Sequence, residues 1–104
     1  MTTIKDSNGK EIQHVYGGIN PDGTKWCGEG FRLRKLRQGL YLIEFERHFV
    51  ELPIPICTIF GPEWETFDKS ISIVDIETSQ FVCATSSMDK PVDCGFTFIV
   101  FGNI

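Results

Sequence analysis

A chain of 104 residues is long enough for one hydrophobic core and too short for two. Its formal net charge of −4 argues against a general binder of nucleic-acid backbones, which carries a basic excess. No apolar run is long enough to span a bilayer, and the polar start "MTTIKDSNGKEIQ" lacks the basic and apolar segments of a secretory signal.

The expectation is therefore a soluble protein made in the cytosol, with virion association or export by a non-standard route left open. Residues 1–10 are read as a flexible lead into a single domain spanning 1–104. Helical periodicity is absent. Short runs of period two recur instead, separated by Gly, Pro, Asp, Asn and Ser clusters. They predict strands over 11–19, 30–36, 40–47, 54–61, 70–76, 80–86 and 95–101. Regular short strands joined by such turns point to an all-β, single-domain antiparallel β-sandwich of six to seven strands.

The segment "GEGFRLRKLRQGLYLIEFE" is the most explicit of these. Arg37-Gln38-Gly39 reads as a three-residue hairpin connection with Gly39 in the left-handed conformation. That register pairs Leu36 with Leu40, Leu33 with Ile43 and Phe31 with Phe45, all expected to be core. Arg32 then meets Glu44 on the other side, so the basic stripe reads as a solvated face. Pro53 and Pro55 open the next strand and mark a sheet edge, because proline cannot donate to a ladder. In the last strand Phe96, Phe98 and Val100 point one way while Ile99 and Phe101 point the other. A strand with one wet face alternates apolar with polar residues, and this one does not. It is expected to meet another subunit through its second face.

In order, the chain shows "VYGGINPDGTKWCGEGF", "GLYLIEF", "HFVELPIPICT", "SISIVDIETSQFVCAT" and the closing "DCGFTFIVFG". This layout resembles small β-sandwich modules found at the tips of bacteriophage tail fibres and in related bacterial proteins. It is also similar to the H-type lectin domain, a six-stranded sandwich that forms trimers or hexamers and binds N-acetylgalactosamine-type sugars. The last strand departs from both patterns: Val100 replaces a small residue, and phenylalanine stands where H-type lectins usually carry tryptophan. No sugar-contacting residue is carried over. The resemblance implies a non-catalytic, lectin-like carbohydrate- or receptor-binding module acting as a homo-oligomer, a trimer or a dimer of trimers. The alternative is a structural fibre-tip or oligomerisation module without a small-molecule ligand.

Few residues suggest catalysis. There is no G-x-S-x-G, and His14 and His48 lie at ordinary strand positions. Cys27, Cys57, Cys83 and Cys94 contain no C-x-x-C, and neither histidine sits at zinc-ligand spacing from them. Neither catalytic residues nor a metal or cofactor is expected. Cys57 and Cys83 fall in apolar runs; Cys27 and Cys94 lie in turns, where a bridge between them is conceivable. Sugar binding asks for an aromatic ring beside a few polar groups. The loop "GPEWETFDKS" offers Trp64 as a stacking platform, with Glu63, Glu65 and Asp68 as hydroxyl acceptors; the loop "SSMDKPVDCG" adds Asp89. Trp64 and Phe67 could equally fold back to plug the end of the core. Trp26 carries the same ambiguity. The expected partner is a glycan or cell-surface receptor, with homo-oligomerisation through strand 95–101 and neither nucleic acid nor a membrane span.

Overall fold

The structure, a computed structural model, describes residues 2–5 and 7–104. The described residues form strands β1 (Thr2–Lys5), β2 (Glu11–Ile19), β3 (Lys25–Gly28), β4 (Phe31–Arg37) and β5 (Leu40–Phe45). Strand β6 (Ile54–Ile59), helix α1 (Glu63–Thr66), and strands β7 (Lys69–Ile76), β8 (Gln80–Ser87), β9 (Lys90–Pro91) and β10 (Phe96–Asn103) follow. They build two five-stranded antiparallel sheets. The first runs β1-β2-β10-β6, with β3 also paired to β2; the second runs β4-β5-β8-β7, with β9 paired to β8.

The fold is the expected all-β sandwich, and each expected strand appears within two residues at either end. Three short strands are additional. Residues 1–10, expected to be a flexible lead, include β1, whose Thr3 and Ile4 pair with Gln13 and Ile12. Strands β3 and β9 are too short to show a period of two, so no alternation reveals them.

The β4–β5 hairpin follows the expected register from Phe31↔Phe45 through Leu33↔Ile43, with Arg32 opposite Glu44. It departs at the turn. Lys35 pairs with Tyr41, but Arg37 rather than Leu36 pairs with Leu40. Leu36 is bulged out of the ladder and exposed. The physical reason is the strand's period of two, which sends residue 36 to the face opposite residue 33; the bulge then lets the chain turn one residue later. Arg32 and Glu44 form no ion pair, whereas Lys35 pairs with Asp93, Lys69 with Asp68 and Arg47 with Glu11.

Between the sheets lies a core rich in phenylalanine. Phe98 of β10 meets Phe31 at 4.9 Å and Phe81 at 5.5 Å, both edge to face. Phe96 meets Tyr41 at 5.2 Å, and Phe45 meets Phe49 at 5.0 Å. Edge-to-face pairs of this kind add about 0.5–1.5 kcal/mol each beyond the area they bury. Cys57 and Cys83 project from opposite sheets; their hydrogen bond and burial push the Cys83 thiol pKa up. All four cysteines are free.

The two outer faces differ in chemistry. On the β4-β5-β8-β7 sheet the outer face mixes Arg32, Arg34, Glu44, Ser70 and Ser72 with Leu40, Leu42, Val82 and Ala84, the arginines and serines being exposed. On the other sheet Phe96, Phe98 and Val100 are buried as expected. Their neighbours Ile99 and Phe101 face outward beside Tyr16, Ile54 and Ile56. Strand β6, with Pro55 inside it, closes the edge of that sheet.

Gly39 has φ +71°, and a Cβ there would lie 2.6 Å from the carbonyl oxygen of Thr85. Gly39→Val combines left-handed strain with a backbone clash. It is expected to cost at least about 2 kcal/mol, read as a lowered urea midpoint at unchanged slope. A variant as stable as the wild type would show that the turn has no need of glycine.

Candidate functional site

The strongest candidate is a cavity of about 490 Å³ at one end of the sandwich, where β2 and β6 finish and β7 and β10 begin. It is walled by the turn after β2, by Trp26 of β3 with the stretch 60–66 and Lys69, and by Asp93–Gly95.

The first wall is a rigid turn. Asp22 accepts from the Thr24 amide at 3.0 Å and from its hydroxyl at 2.6 Å. Those bonds hold the Asp22 carboxyl below its ordinary pKa. The Asn20 side-chain amide donates to the Thr24 hydroxyl at 3.0 Å. Tyr41, buried in the core, donates its hydroxyl to the Pro21 carbonyl at 2.8 Å. Burial, and then the Asp93 charge, push the Tyr41 pKa up to about 12, so this donor keeps its proton.

The second wall is aromatic. Trp26 lies directly on Gly18: a Cβ at that position would come within 2.3 Å of the indole. Phe60 stands beside it, with ring centroids 5.3 Å apart. The Phe60 amide donates to the Gly95 carbonyl at 3.0 Å, which ties this wall to the third segment. Gly61 and Pro62 end the strand run, and a single helical turn, α1, follows. The Glu65 amide donates to the Pro62 carbonyl at 2.9 Å, and the Thr66 hydroxyl to Glu63 at 3.0 Å. This turn presents Glu65 and Thr66 to the cavity.

The third wall is held by Asp93. Its carboxylate accepts from the Lys35 ammonium and, at 2.8 Å, from the Gly39 amide. Burial pushes the Asp93 carboxyl up, but the Lys35 bond and the Gly39 amide outweigh it and hold the group below its ordinary value. Burial also pushes the neighbouring Cys94 thiol up, so it lines the site as a protonated, small apolar group. Lys69 donates to Asp68 at 2.7 Å, and Ser87 donates to the other Asp68 oxygen at 2.6 Å. Together they bring the Asp68 pKa down to about 2, while the Asp68 bond raises that of Lys69.

The expected site residues divide among these positions. Glu65 lines the cavity; Glu63 and Trp64 do not. Trp64 and Phe67 are 76% and 78% exposed, so neither plugs the core. Asp68 spends its charge on Lys69 and Ser87 beside the cavity. Asp89 lies in a two-residue turn with Met88, both at positive φ, and lines a separate shallow depression with Arg37 and Gln38. The segment 61–70, read as a loop, contains the turn of helix α1. Residues two apart on a helix diverge, so Glu63 and Glu65 do not present paired carboxylates. Phe60, Asn20 and Pro21 were not singled out by the sequence. Gly18 pairs with Cys27, and Trp26 sits in the bulge beside that pair with its indole over Gly18; no local pattern in the sequence reveals that contact.

A larger depression of about 650 Å³ lies at the opposite end of the β4-β5-β8 sheet, among Arg32, Glu44, Glu46, His48 and Gln80. Phe45 also lines it, but that ring is buried in the core and offers no exposed platform. Among the described residues, no three His, Cys, Asp or Glu side chains are grouped to hold a metal ion. No helix of the described residues is long and apolar enough to cross a membrane. No family model, curated protein or solved structure matches the chain.

Asp93 yields a test of the site's framework. Its folded pKa is depressed, so its contribution is fully present above the ordinary 3.8 and is lost as pH falls through the lower folded value. Asp93→Ala is expected to cost about 1.5–3 kcal/mol at pH 7, and the gap from wild type should narrow below pH 3.8. Denaturant melts at several pH values check this; a gap that is constant down to acid pH would mean that the carboxylate charge contributes nothing.

Proposed function

We propose that the protein is a non-catalytic carbohydrate- or receptor-binding module that acts as a homo-oligomer. One observation carries this reading. The cavity joins an indole–phenyl wall, Trp26 and Phe60, to the polar groups of Asn20, Thr66, Glu65 and Lys69. A sugar ring needs that mixture: its C–H face packs on an aromatic surface while its hydroxyls find acceptors and donors. A volume near 490 Å³ is within the usual range for small-ligand sites, about 300–1,000 Å³. The core surfaces behind the walls are fixed by Tyr41 and Asp93, which limits the ordering cost of binding. Divergence of Glu63 and Glu65 favours binding over glycosidic hydrolysis, which uses two opposed carboxylates.

In this reading Trp26 takes the stacking role that the sequence suggested for Trp64. Trp64, with Glu63 beside it, is free on the surface to touch a longer chain. Titration calorimetry against hexoses and N-acetylhexosamines is the direct test. Binding in the millimolar range or tighter is expected. Trp26→Ala should weaken it at least about tenfold, and Gly18→Ala should do the same by lifting the indole from its seat. Trp64→Ala should leave stability within about 0.5 kcal/mol of wild type. A wild-type protein that takes up no saccharide would overturn the reading.

A second reading, a structural fibre-tip or oligomerisation module without a small ligand, is favoured by the apolar outer face of β2, β10 and β6. The two are compatible in one chain, since the cavity and that face are built from different side chains apart from Trp26 and Phe60 at their shared border.

A further inference from the structure

The outward side chains of β2, β10 and β6 form three rows across the sheet. Ladder pairing sets His14, Phe101 and Ile54 in one row, Tyr16, Ile99 and Ile56 in the next, and Gly18, Thr97 and Thr58 in the third. None of these nine residues is Asp, Glu, Lys or Arg. Tyr16 is 55% exposed, Ile54 68%, Ile56 54% and Phe101 41%.

From the ordinary areas of such side chains, the face offers on the order of 500 Å² of largely apolar surface. That is as large as the largest apolar patch of a typical monomer, about 300–600 Å², and patches of that size often mark interaction sites. The opposite face of the sandwich sets Arg32, Arg34 and Glu44 among its apolar residues, and these three rows have no such charges.

We propose that this face is covered by the same face of a second copy, packed sheet on sheet about a two-fold axis. The inference rests on the oligomeric part of the reading above and says where and how the copies meet. Charge selects the occupant. The chain carries a net −4, so two copies repel unless they meet where no acid lies, and this face bears no acid. An anionic or cationic partner would find no complementary group on it. Area agrees: two such faces together remove about 1,000 Å², the lower bound for a specific interface. Shape then sets the number. A pleated face is covered whole by one equivalent face about 10 Å away, as within the sandwich itself. A ring of three would split the face between two neighbours, so the expected assembly is a dimer rather than the trimer that the sequence resemblance implies.

The test is sedimentation equilibrium on the full chain, with Ile56→Glu and Phe101→Glu as variants and Ser72→Glu, on the opposite face, as the control. All three positions are exposed, and far-UV circular dichroism verifies their folding. Wild type and Ser72→Glu should sediment at twice the 11.8 kDa of the chain at about 10 µM protein, and both outer-face variants as monomers. If a glutamate variant fails to fold, Ile56→Thr should weaken the dimer at least about tenfold. An oligomer that survives both glutamates, or a wild-type trimer, overturns this interface while leaving an oligomeric module standing. A wild-type monomer overturns both, including one that cosediments with phosphatidylcholine vesicles, for then a bilayer covers the face. Calorimetric saccharide binding by the monomeric variants keeps the fate of the cavity separate from that of the interface.

Discussion

Strand β10 is held between two phenylalanine contacts on which the sandwich depends. Phe96 and Phe98 project from the centre of one sheet into rings supplied by the other, Tyr41 on one side and Phe31 with Phe81 on the other. Rings that meet edge to face fix both the separation of the sheets and their sliding position, because the favourable geometry is lost within a small displacement. The backbone around them is shaped to fit. At Gly17, across the ladder from Phe98, a Cβ would come within 2.4 Å of the Phe31 ring. Aromatic packing at the centre thus dictates which neighbouring positions are left without side chains.

The end of the sandwich that carries the cavity is held by different chemistry. There the sheets diverge into turns, and carbonyl and amide groups that no ladder satisfies must find partners. Tyr41 meets the Pro21 carbonyl, Asp93 meets the Gly39 amide, and Thr85 donates to the Val92 carbonyl at 2.5 Å. Tyr41 belongs to both systems, with its ring in the core and its hydroxyl at the wall. A cavity so framed has walls tied to the core by Tyr41 and Asp93.

The strands were legible because their information is local. Alternation over seven or eight residues identifies a half-buried strand wherever its partners lie, and Gly39 announced its own turn. Leu36 was misread because hydrophobicity was followed past the point where the two-residue period had already turned it outward. The cavity was only partly legible for the opposite reason. Its residues come from positions near 20, 26, 60, 65 and 93, and only the pairing of β2 with β3 and of β6 with β10 brings them together. Glu65 was recognised from its loop and Trp26 was noticed without a role. Phe60 read as the end of a strand, which it follows. Trp64 drew attention because tryptophan beside acids is conspicuous in a sequence, whereas a platform is made by what the ring lies on.

The positions of the two tryptophans govern how this protein will report on itself spectroscopically. Trp26 is 47% exposed and Trp64 76%, so neither indole is enclosed by the core, whose rings are phenylalanines and Tyr41. Loss of the fold therefore changes little around Trp64, whereas Trp26 leaves its seat on Gly18 and beside Phe60. Contact with anything that dries the end of the sandwich moves Trp26 from water to an apolar setting while the fold stays intact. In this chain Trp64 is a gauge of surface encounters alone, while Trp26 responds both to unfolding and to anything that fills the end of the sandwich.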